Sequence, residues 1–276
     1  MTSPKKPRKW SLILFALTFA APCGAADVKY QMDCDLGKGT AQTRRANGFT
    51  VILAPSNGMC RVSVLDVHRS SVFEYASTGV QVFVGVAVTS DGSTNAIIQA
   101  DDFNPYKLFV VSLGEHPRLM RTIENQYGFW LQDDCGGKIR IWTSDGAFGS
   151  DPDLADVYHR DLFTPDVVLE LEGERLVDAT PMCKAYFDHE IESLRSELRE
   201  RDIPRFRDHQ IKDNFYRGQI KGKILKIIFC YLYTGRETEA KEFLQQMWPA
   251  NDSDRLWQSI VNLRSEGVLR NLNQSH

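Results

Sequence analysis

Two hydrophobic periods divide the chain. Up to about residue 180, short runs of β-branched and aromatic residues alternate with turn-forming sequences such as Ser56-Asn57-Gly58. Several runs have a period of two, which is typical of strands with one solvated face. The predicted strands are FTVILA from residue 49, CRVSVLDV from 60, VQVFVGVAV from 80, NAIIQA from 95, KLFVVSL from 107, KIRIW from 138 and VVLELEG from 167.

From residue 184 onward the period becomes helical. Apolar residues recur three or four positions apart in four stripes, and Gly235, Trp248-Pro249 and Gly267 end three of them. A weaker helix is predicted over 205–217. The stripes are Phe187, Ile191, Leu194 and Leu198; Ile220, Ile224, Ile227, Tyr231 and Leu232; Ala240, Phe243, Leu244 and Met247; and Leu256, Trp257, Ile260, Val261 and Leu263.

The change of period predicts an α+β fold in two parts. Residues 27–183 form a β-rich domain, an antiparallel region with a partial propeller-like or sandwich-like arrangement. Residues 184–276 form a small α-helical bundle. Each apolar stripe needs a partner surface, so we expect the helices to pack as one layer beside the β part.

The first 26 residues have the three regions of a secretory signal peptide. Four basic residues precede the apolar run WSLILFALTFAA, and small residues follow it. Cleavage is expected after Ala25 or Ala26. An uncleaved anchor helix and a lipoprotein with a modified Cys23 are the alternatives. No later segment is apolar enough to cross a membrane, so a periplasmic or secreted protein is predicted.

Charge narrows the choice of partners. The whole sequence has 33 Lys plus Arg against 36 Asp plus Glu. Without the leader, which holds four basic residues and no acid, 29 basic residues remain against 36 acids, a net charge of −7. An acidic surface repels nucleic acid and anionic lipid. The expected partner is therefore an envelope protein or a glycan, with no nucleic acid.

Five cysteines remain after the leader. Disulfides are expected in an oxidising compartment, and we predict the pairs Cys34–Cys60 and Cys135–Cys183, although the other two pairings of these four stay open. Cys230 lies in the apolar stretch ILKIIFCYLY and is predicted to be a buried free thiol. There is no C-x-x-C motif and no cysteine with a histidine at ligand spacing, so neither a zinc site nor a cofactor is predicted.

A faint repeat lies in the β part. Residues 89–98 (TSDGSTNAII) align with residues 134–143 (DCGGKIRIWT), so that Gly92 meets Gly137. Both loops resemble the FG-GAP or VCBS-type repeats of integrin-like propellers. The matching residues are Asp91, Gly92 and Asn95 in the first loop and Gly137, Lys138 and Ile141 in the second. The resemblance implies calcium loops, but Gly136 and Arg140 stand where the family needs acids, so loss of calcium is expected.

The layout as a whole resembles uncharacterised exported bacterial proteins with degenerate repeats and a helical tail. This resemblance implies an architecture but does not indicate an activity. It is carried by the segments SLGEHP, KIRIWTSDGAF, PDVVLELEGERLVDAT and YLYTGRETEAKEFLQQMWP. Residues 224–248 also resemble one tetratricopeptide-type hairpin, through Tyr231, Gly235 and Ala240. A single hairpin is too little for a peptide-binding solenoid.

The segment NQYGFWLQDD is a candidate ligand site. Its aromatic rings could stack on a sugar, and its carboxylates could accept hydrogen bonds from the hydroxyl groups of that sugar. Adjacent carboxylates on a strand point to opposite faces, which makes a poor catalytic pair. The alternative is a set of core aromatics beside a turn. The candidate residues are Tyr127, Phe129, Trp130, Asp133 and Asp134.

A second acidic segment, SDGAFGSDPDLADVYHRD, offers weak calcium candidates at Asp151, Asp153 and Asp156. Its spacing fits no standard calcium loop, so a solvated acidic loop is the default interpretation.

Catalytic motifs are missing. HEIES at His189 has Ser193 where a zinc-protease helix needs its second histidine, and neither G-x-S-x-G nor a phosphate-binding Gly-Lys loop occurs. The sequence therefore favours an exported noncatalytic binding or scaffold protein. The alternatives are a secreted carbohydrate-active enzyme and a calcium-stabilised structural protein.

Overall fold

A computed structural model describes residues 31–34, 36, 39–102, 104–133, 135–150, 154 and 164–273. The predicted leader, residues 1–26, lies outside this part. The α+β class is confirmed, because three antiparallel sheets precede five α-helices that lie mostly at the C-terminal end.

Thirteen strands are present in the described residues. They are Gln31–Asp33 (β1), Gln42–Ala46 (β2), Phe49–Ser56 (β3), Met59–Leu65 (β4), Ser71–Ser77 (β5), Gly79–Val86 (β6), Asn95–Asp101 (β7), Tyr106–Ser112 (β8), Leu119–Asn125 (β9), Phe129–Gln132 (β10), Arg140–Ser144 (β11), Asp166–Glu172 (β12) and Arg175–Asp178 (β13).

Each sheet contains a run of four strands in sequence order, and one of the three sheets has a fifth strand. Sheet 1 is β2-β3-β4-β5, sheet 2 is β6-β7-β8-β9 with β1 added beside β6, and sheet 3 is β10-β11-β12-β13. All the pairs are antiparallel. Three successive meanders therefore form the β part.

The sheets are stacked with sheet 2 in the middle. Val82, Ile98 and Phe109 on one of its faces belong to the same apolar cluster as Val51 and Val62 of sheet 1. The residues between them in sequence, such as Phe83 and Ile97, join a second cluster that includes sheet 3 and the helices. Since side chains alternate along a strand, sheet 2 buries both of its faces.

The two aligned loops occupy the same place in successive sheets. Residues 89–98 run from the connection after β6 into β7, and residues 135–143 run from the connection after β10 into β11. Asp91 accepts a hydrogen bond from the Ser93 N–H (2.9 Å) within its own turn. Arg140 is buried and forms an ion pair with Glu170 (3.1 Å).

The helices cover the free face of sheet 3. Trp142 of β11 is fully buried, and its ring centroid lies 4.9 Å from that of Tyr186. Lys226 forms an ion pair with Asp166 of β12 (2.8 Å). The helices are Lys184–Glu197 (α1), Asp202–Arg207 (α2), Asn214–Tyr233 (α3), Glu237–Met247 (α4) and Ser253–Glu266 (α5). No helix of the described residues combines the length and apolar character needed to span a membrane.

The weak helix predicted over 205–217 is wrong, because the structure divides this segment. Helix α2 ends at Arg207, and His209 has a left-handed backbone (φ 54°) that an α-helix does not accommodate. Asp213 then caps α3 by accepting a hydrogen bond from the Tyr216 N–H (3.2 Å).

A buried carboxylate joins sheet 3 to the helices. Asp145, directly after β11, has no exposed surface. It accepts hydrogen bonds from Tyr233 Oη (2.6 Å), Ala147 N (3.2 Å) and Val268 N (3.2 Å). Because Tyr233 ends α3 and Val268 follows α5, one side chain fixes two helices against the β part.

Candidate functional site

The predicted cysteine pairs are confirmed. The Cα atoms are 5.9 Å apart in Cys34–Cys60 and 5.0 Å apart in Cys135–Cys183. Cys230 is free and buried. Burial raises the pKa of its thiol to about 12, so the reactive thiolate is nearly absent at neutral pH. The two bridges link the residue after β1 to β4 and the segment after β10 to the residue before α1.

The predicted aromatic site is divided between two faces of sheet 3. Phe129 is buried and belongs to the cluster that sheets 2 and 3 share. Trp130 is half-buried on the opposite face, where its ring centroid lies 6.3 Å from that of Trp142. Its Nε1 donates to Gln132 Oε1 (2.9 Å). Successive residues of a strand point to opposite faces, so these two rings do not form one platform.

The other members of that prediction lie at the ends of β10. Tyr127 is half-buried in the turn before the strand, close to Gly149. Asp133 is half-buried directly after the strand, and Asp134 lies outside the described residues. The structure therefore places Tyr127 and Asp133 at opposite ends of the strand.

The calcium candidates Asp151, Asp153 and Asp156 also lie outside the described residues. Within the described part of the chain, no group of three or more His, Cys, Asp or Glu side chains is arranged to hold a metal ion.

A pocket between helices is a site that the sequence did not predict. It has a volume of about 350 Å³ and lies where the end of α2, the first two turns of α3 and the start of α5 meet. Its floor is apolar and buried. The rings of Phe206 and Trp248 meet edge to face there, with centroids 5.3 Å apart, beside Pro249 and Leu256.

The wall and rim of this pocket are mainly cationic. Arg217 and Lys221 stand one turn apart on α3 and are half-buried, whereas His209 and Arg255 are exposed at the rim. Asp252 is the one acidic residue of the lining. The arrangement gives a positive pocket in a chain whose net charge is −3.

Arg217 is oriented by an imidazole. Its Nη2 lies 2.6 Å from His209 Nδ1. A guanidinium has no acceptor, so in this contact Arg217 donates and His209 Nδ1 accepts. No carboxylate in the described part of the chain forms an ion pair with Arg217. Its positive charge therefore remains available to a ligand.

The carboxylate of Asp252 is hydrogen-bonded to two neighbouring side chains. It accepts hydrogen bonds from Arg255 Nε (2.9 Å) and Trp248 Nε1 (3.2 Å). Burial alone would raise its pKa, but these hydrogen bonds outweigh burial and hold the pKa below its ordinary value. The ionised carboxylate thus fixes one cation and one floor ring of the pocket.

Comparison with known proteins gives no relative: no family model, curated protein or solved structure matches the chain. The function is therefore argued from the geometry of the pocket.

Proposed function

We propose that the protein is an exported binding protein that holds a small anionic ligand in the helical pocket. The observation that carries the proposal is the set of cations around an aromatic floor. Arg217, Lys221 and Arg255 carry permanent positive charges, and Asp252 is the one acidic residue of the lining. Small-molecule sites combine an apolar surface with a few convergent polar groups in this way.

The lining favours binding over catalysis. Among the described residues that line the pocket, there is no serine, threonine or cysteine to act as a nucleophile. The imidazole of His209 is occupied by Arg217 through Nδ1, and Asp252 is held by Arg255 and Trp248. The two side chains that could act as a general base, His209 and Asp252, instead orient Arg217, Arg255 and the ring of Trp248.

Binding is testable by thermal melting with 1-naphthalenesulfonate and 1-naphthoate, which join one negative charge to a ring. A ligand at about 100 times its dissociation constant is expected to add roughly 2.7 kcal/mol to the free energy of unfolding. Arg217→Gln should abolish the shift, because it removes the unpaired cation. Arg207→Gln is the matched control, since Arg207 is exposed on α2 outside the lining. An unchanged shift in Arg217→Gln would place binding elsewhere.

Export is the second element of the proposal. Two disulfides and the basic-then-apolar leader support it, since disulfides persist in oxidising compartments. When the full chain is expressed with its leader, the protein recovered outside the cytoplasm is expected to begin near Ala26 or Asp27. Amino-terminal sequencing checks this. Retention of Met1 would contradict export by cleavage, and a lipid on Cys23 would establish the lipoprotein alternative.

A further inference from the structure

We propose that Asn57 is a site of spontaneous covalent modification, at which the side-chain amide is converted to a carboxylate through a cyclic imide. The dipeptide Asn-Gly, in which this reaction meets the least steric hindrance, occurs twice in the chain, at Asn47-Gly48 and Asn57-Gly58. The fold covers the first of these pairs and leaves the second open. The inference concerns sheet 1 and is independent of the helical pocket.

Both pairs form the tips of two-residue hairpins. Asn47-Gly48 joins β2 to β3, and Asn57-Gly58 joins β3 to β4. The backbone angle φ is positive at all four residues, with values of 49° and 84° at the Asn47 tip and 53° and 75° at the Asn57 tip. Asn-Gly is a preferred sequence for this turn, because both of its central residues must be left-handed. A difference between the two sites must therefore come from what surrounds each tip.

The reaction consumes only water. The backbone nitrogen of Gly58 attacks Cγ of Asn57, and the new N–C bond closes the imide ring. The side-chain nitrogen leaves as ammonia and takes up the proton of the Gly58 N–H. Water then opens the ring: hydrolysis at Cγ gives aspartate, and hydrolysis at the backbone carbonyl carbon gives isoaspartate, whose main chain is one methylene longer.

The closed hairpin slows this attack. The Gly58 nitrogen reaches Cγ only after rotation about the Cα–C bond of Asn57, which a hydrogen-bonded turn restricts. The tip must therefore open before the ring can form. Local opening costs least free energy where few contacts are broken, so the rate at each tip should follow its packing.

The Asn47 tip is held by two neighbours. Asn47 Nδ2 donates to the backbone oxygen of Leu113, the residue that follows β8 (3.4 Å). Val67, in the turn after β4, covers Gly48, since a Cβ atom at Gly48 would lie 2.9 Å from Val67 Cγ1. Opening this tip breaks a hydrogen bond and a packed contact.

The Asn57 tip has neither restraint. Asn57 and Gly58 are exposed, and a Cβ atom at Gly58 would have no atom within 4 Å. The side chain of Asn57 forms no hydrogen bond with any residue that the structure describes. Only the turn itself opposes opening, and we therefore expect the faster reaction at Asn57.

The two products affect the hairpin differently. Aspartate is compatible with the turn, because Asp-Gly also suits this geometry, and it adds one negative charge to the tip. Isoaspartate places an extra methylene in the main chain of a two-residue turn between β3 and β4, the two central strands of sheet 1. The modification therefore changes the charge at the tip or the pairing beside it.

Peptide mapping by mass spectrometry tests the proposal. The purified chain, with its disulfides intact, is incubated at mildly alkaline pH, and conversion of amide to acid is followed at Asn47 and Asn57 in the same samples. We expect conversion at Asn57 to be at least about 10-fold faster, because opening the Asn47 tip breaks one more hydrogen bond and one more packed contact.

Two controls separate the effect of the fold from that of the sequence. In concentrated urea the two rates should become similar, because both sites are Asn-Gly and neither tip is packed. Val67→Ala should speed conversion at Asn47 and leave the rate at Asn57 unchanged, since it removes only the cover of Gly48. Val67 is 65% exposed, so this substitution leaves the core intact.

The outcomes are decisive in each case. Equal rates at the two tips of the folded chain, faster conversion at Asn47, or no conversion at Asn57 would overturn the assignment. A difference of the same size in urea would also overturn it, because flanking sequence and not packing would then determine the rate. A preference for Asn57 that disappears in urea supports it.

Discussion

Leu244→Asp is expected to unfold the whole chain, not just its helical part. Leu244 lies on α4 with no exposed surface, in the apolar cluster that also contains residues of sheets 2 and 3. Losing a buried leucine side chain costs about 2–5 kcal/mol. Burying an unpaired carboxylate adds several kcal/mol. The sum is comparable to the about 5–15 kcal/mol that stabilises a typical native protein.

Circular dichroism and tryptophan fluorescence measure this loss. The helical and strand signals should vanish together, because Trp142 of β11 packs against Tyr186 and Phe187 of α1. Gln245→Asp is the matched control: it introduces the same charge at the adjacent, exposed position of the same helix. A Leu244→Asp chain that lost its helices but kept a cooperative β transition would show that the two parts fold independently.

Asp145→Ala should lower the free energy of unfolding by about 3–5 kcal/mol. The substitution removes the acceptor of two buried donors, the Tyr233 hydroxyl and the Val268 N–H, and also an acceptor of the half-buried Ala147 N–H. Each buried unsatisfied polar group costs about 1–3 kcal/mol. Tyr233→Phe is the milder comparison, since it keeps the ring and removes one donor, with an expected loss of about 1 kcal/mol. Denaturant titration gives both values, and equal losses would contradict this account of Asp145.

The same carboxylate predicts a pH dependence. Burial raises the pKa of Asp145 above its ordinary value, although the hydrogen bonds from Tyr233, Ala147 and Val268 oppose the shift. Between the ordinary and the raised pKa, the folded chain keeps a proton that the unfolded chain has lost. The contribution of this group to stability is therefore present below the ordinary aspartate pKa and is lost as pH rises through the raised one.

Asp145→Asn provides the reference for this measurement, because the amide does not titrate in this range. The difference in unfolding free energy between wild type and Asp145→Asn should fall as pH rises through the acidic range and then level off. A difference that rises instead would mean that ionised Asp145 is the favoured form in the fold.

The hydrophobic pattern predicted the interior strands and missed the edges. All seven predicted runs correspond to strands with a neighbour on each side, namely β3, β4, β6, β7, β8, β11 and β12. The six strands outside those runs are the two edges of each sheet, including β2, whose sequence QTRRA is largely exposed. An edge strand buries less surface and often carries charge, which protects it from pairing with other chains. Its sequence therefore lacks the signal on which the prediction depended.

The pocket could not be predicted for a different reason. Its residues come from α2, α3, α5 and the segments that follow α2 and α4, and only the packing of these parts brings His209, Arg217 and Arg255 together. The available signal was Arg217 and Lys221 at helical spacing, which is also the pattern of an ordinary solvated face. Because one helix was predicted over 205–217, the turn at His209 was not anticipated. The side chain of His209 contacts Arg217 from this turn. By contrast, the aromatic segment Tyr127–Trp130 stood out in the sequence for a structural reason. Phe129 is buried in the protein interior, and Trp130 is half-buried.

The order of the disulfides has a consequence for biogenesis. Among the cysteines after the predicted leader, each bridge joins two that are consecutive in the chain: Cys34 with Cys60, and Cys135 with Cys183. When a chain enters an oxidising compartment amino terminus first, the native partner of each such cysteine is the next one to emerge. Cys230 arrives after both bridges can close, in a helix that then buries it. If the chain is exported as we propose, oxidation in the order of emergence gives the native pairs, and no isomerase is required to reshuffle bonds.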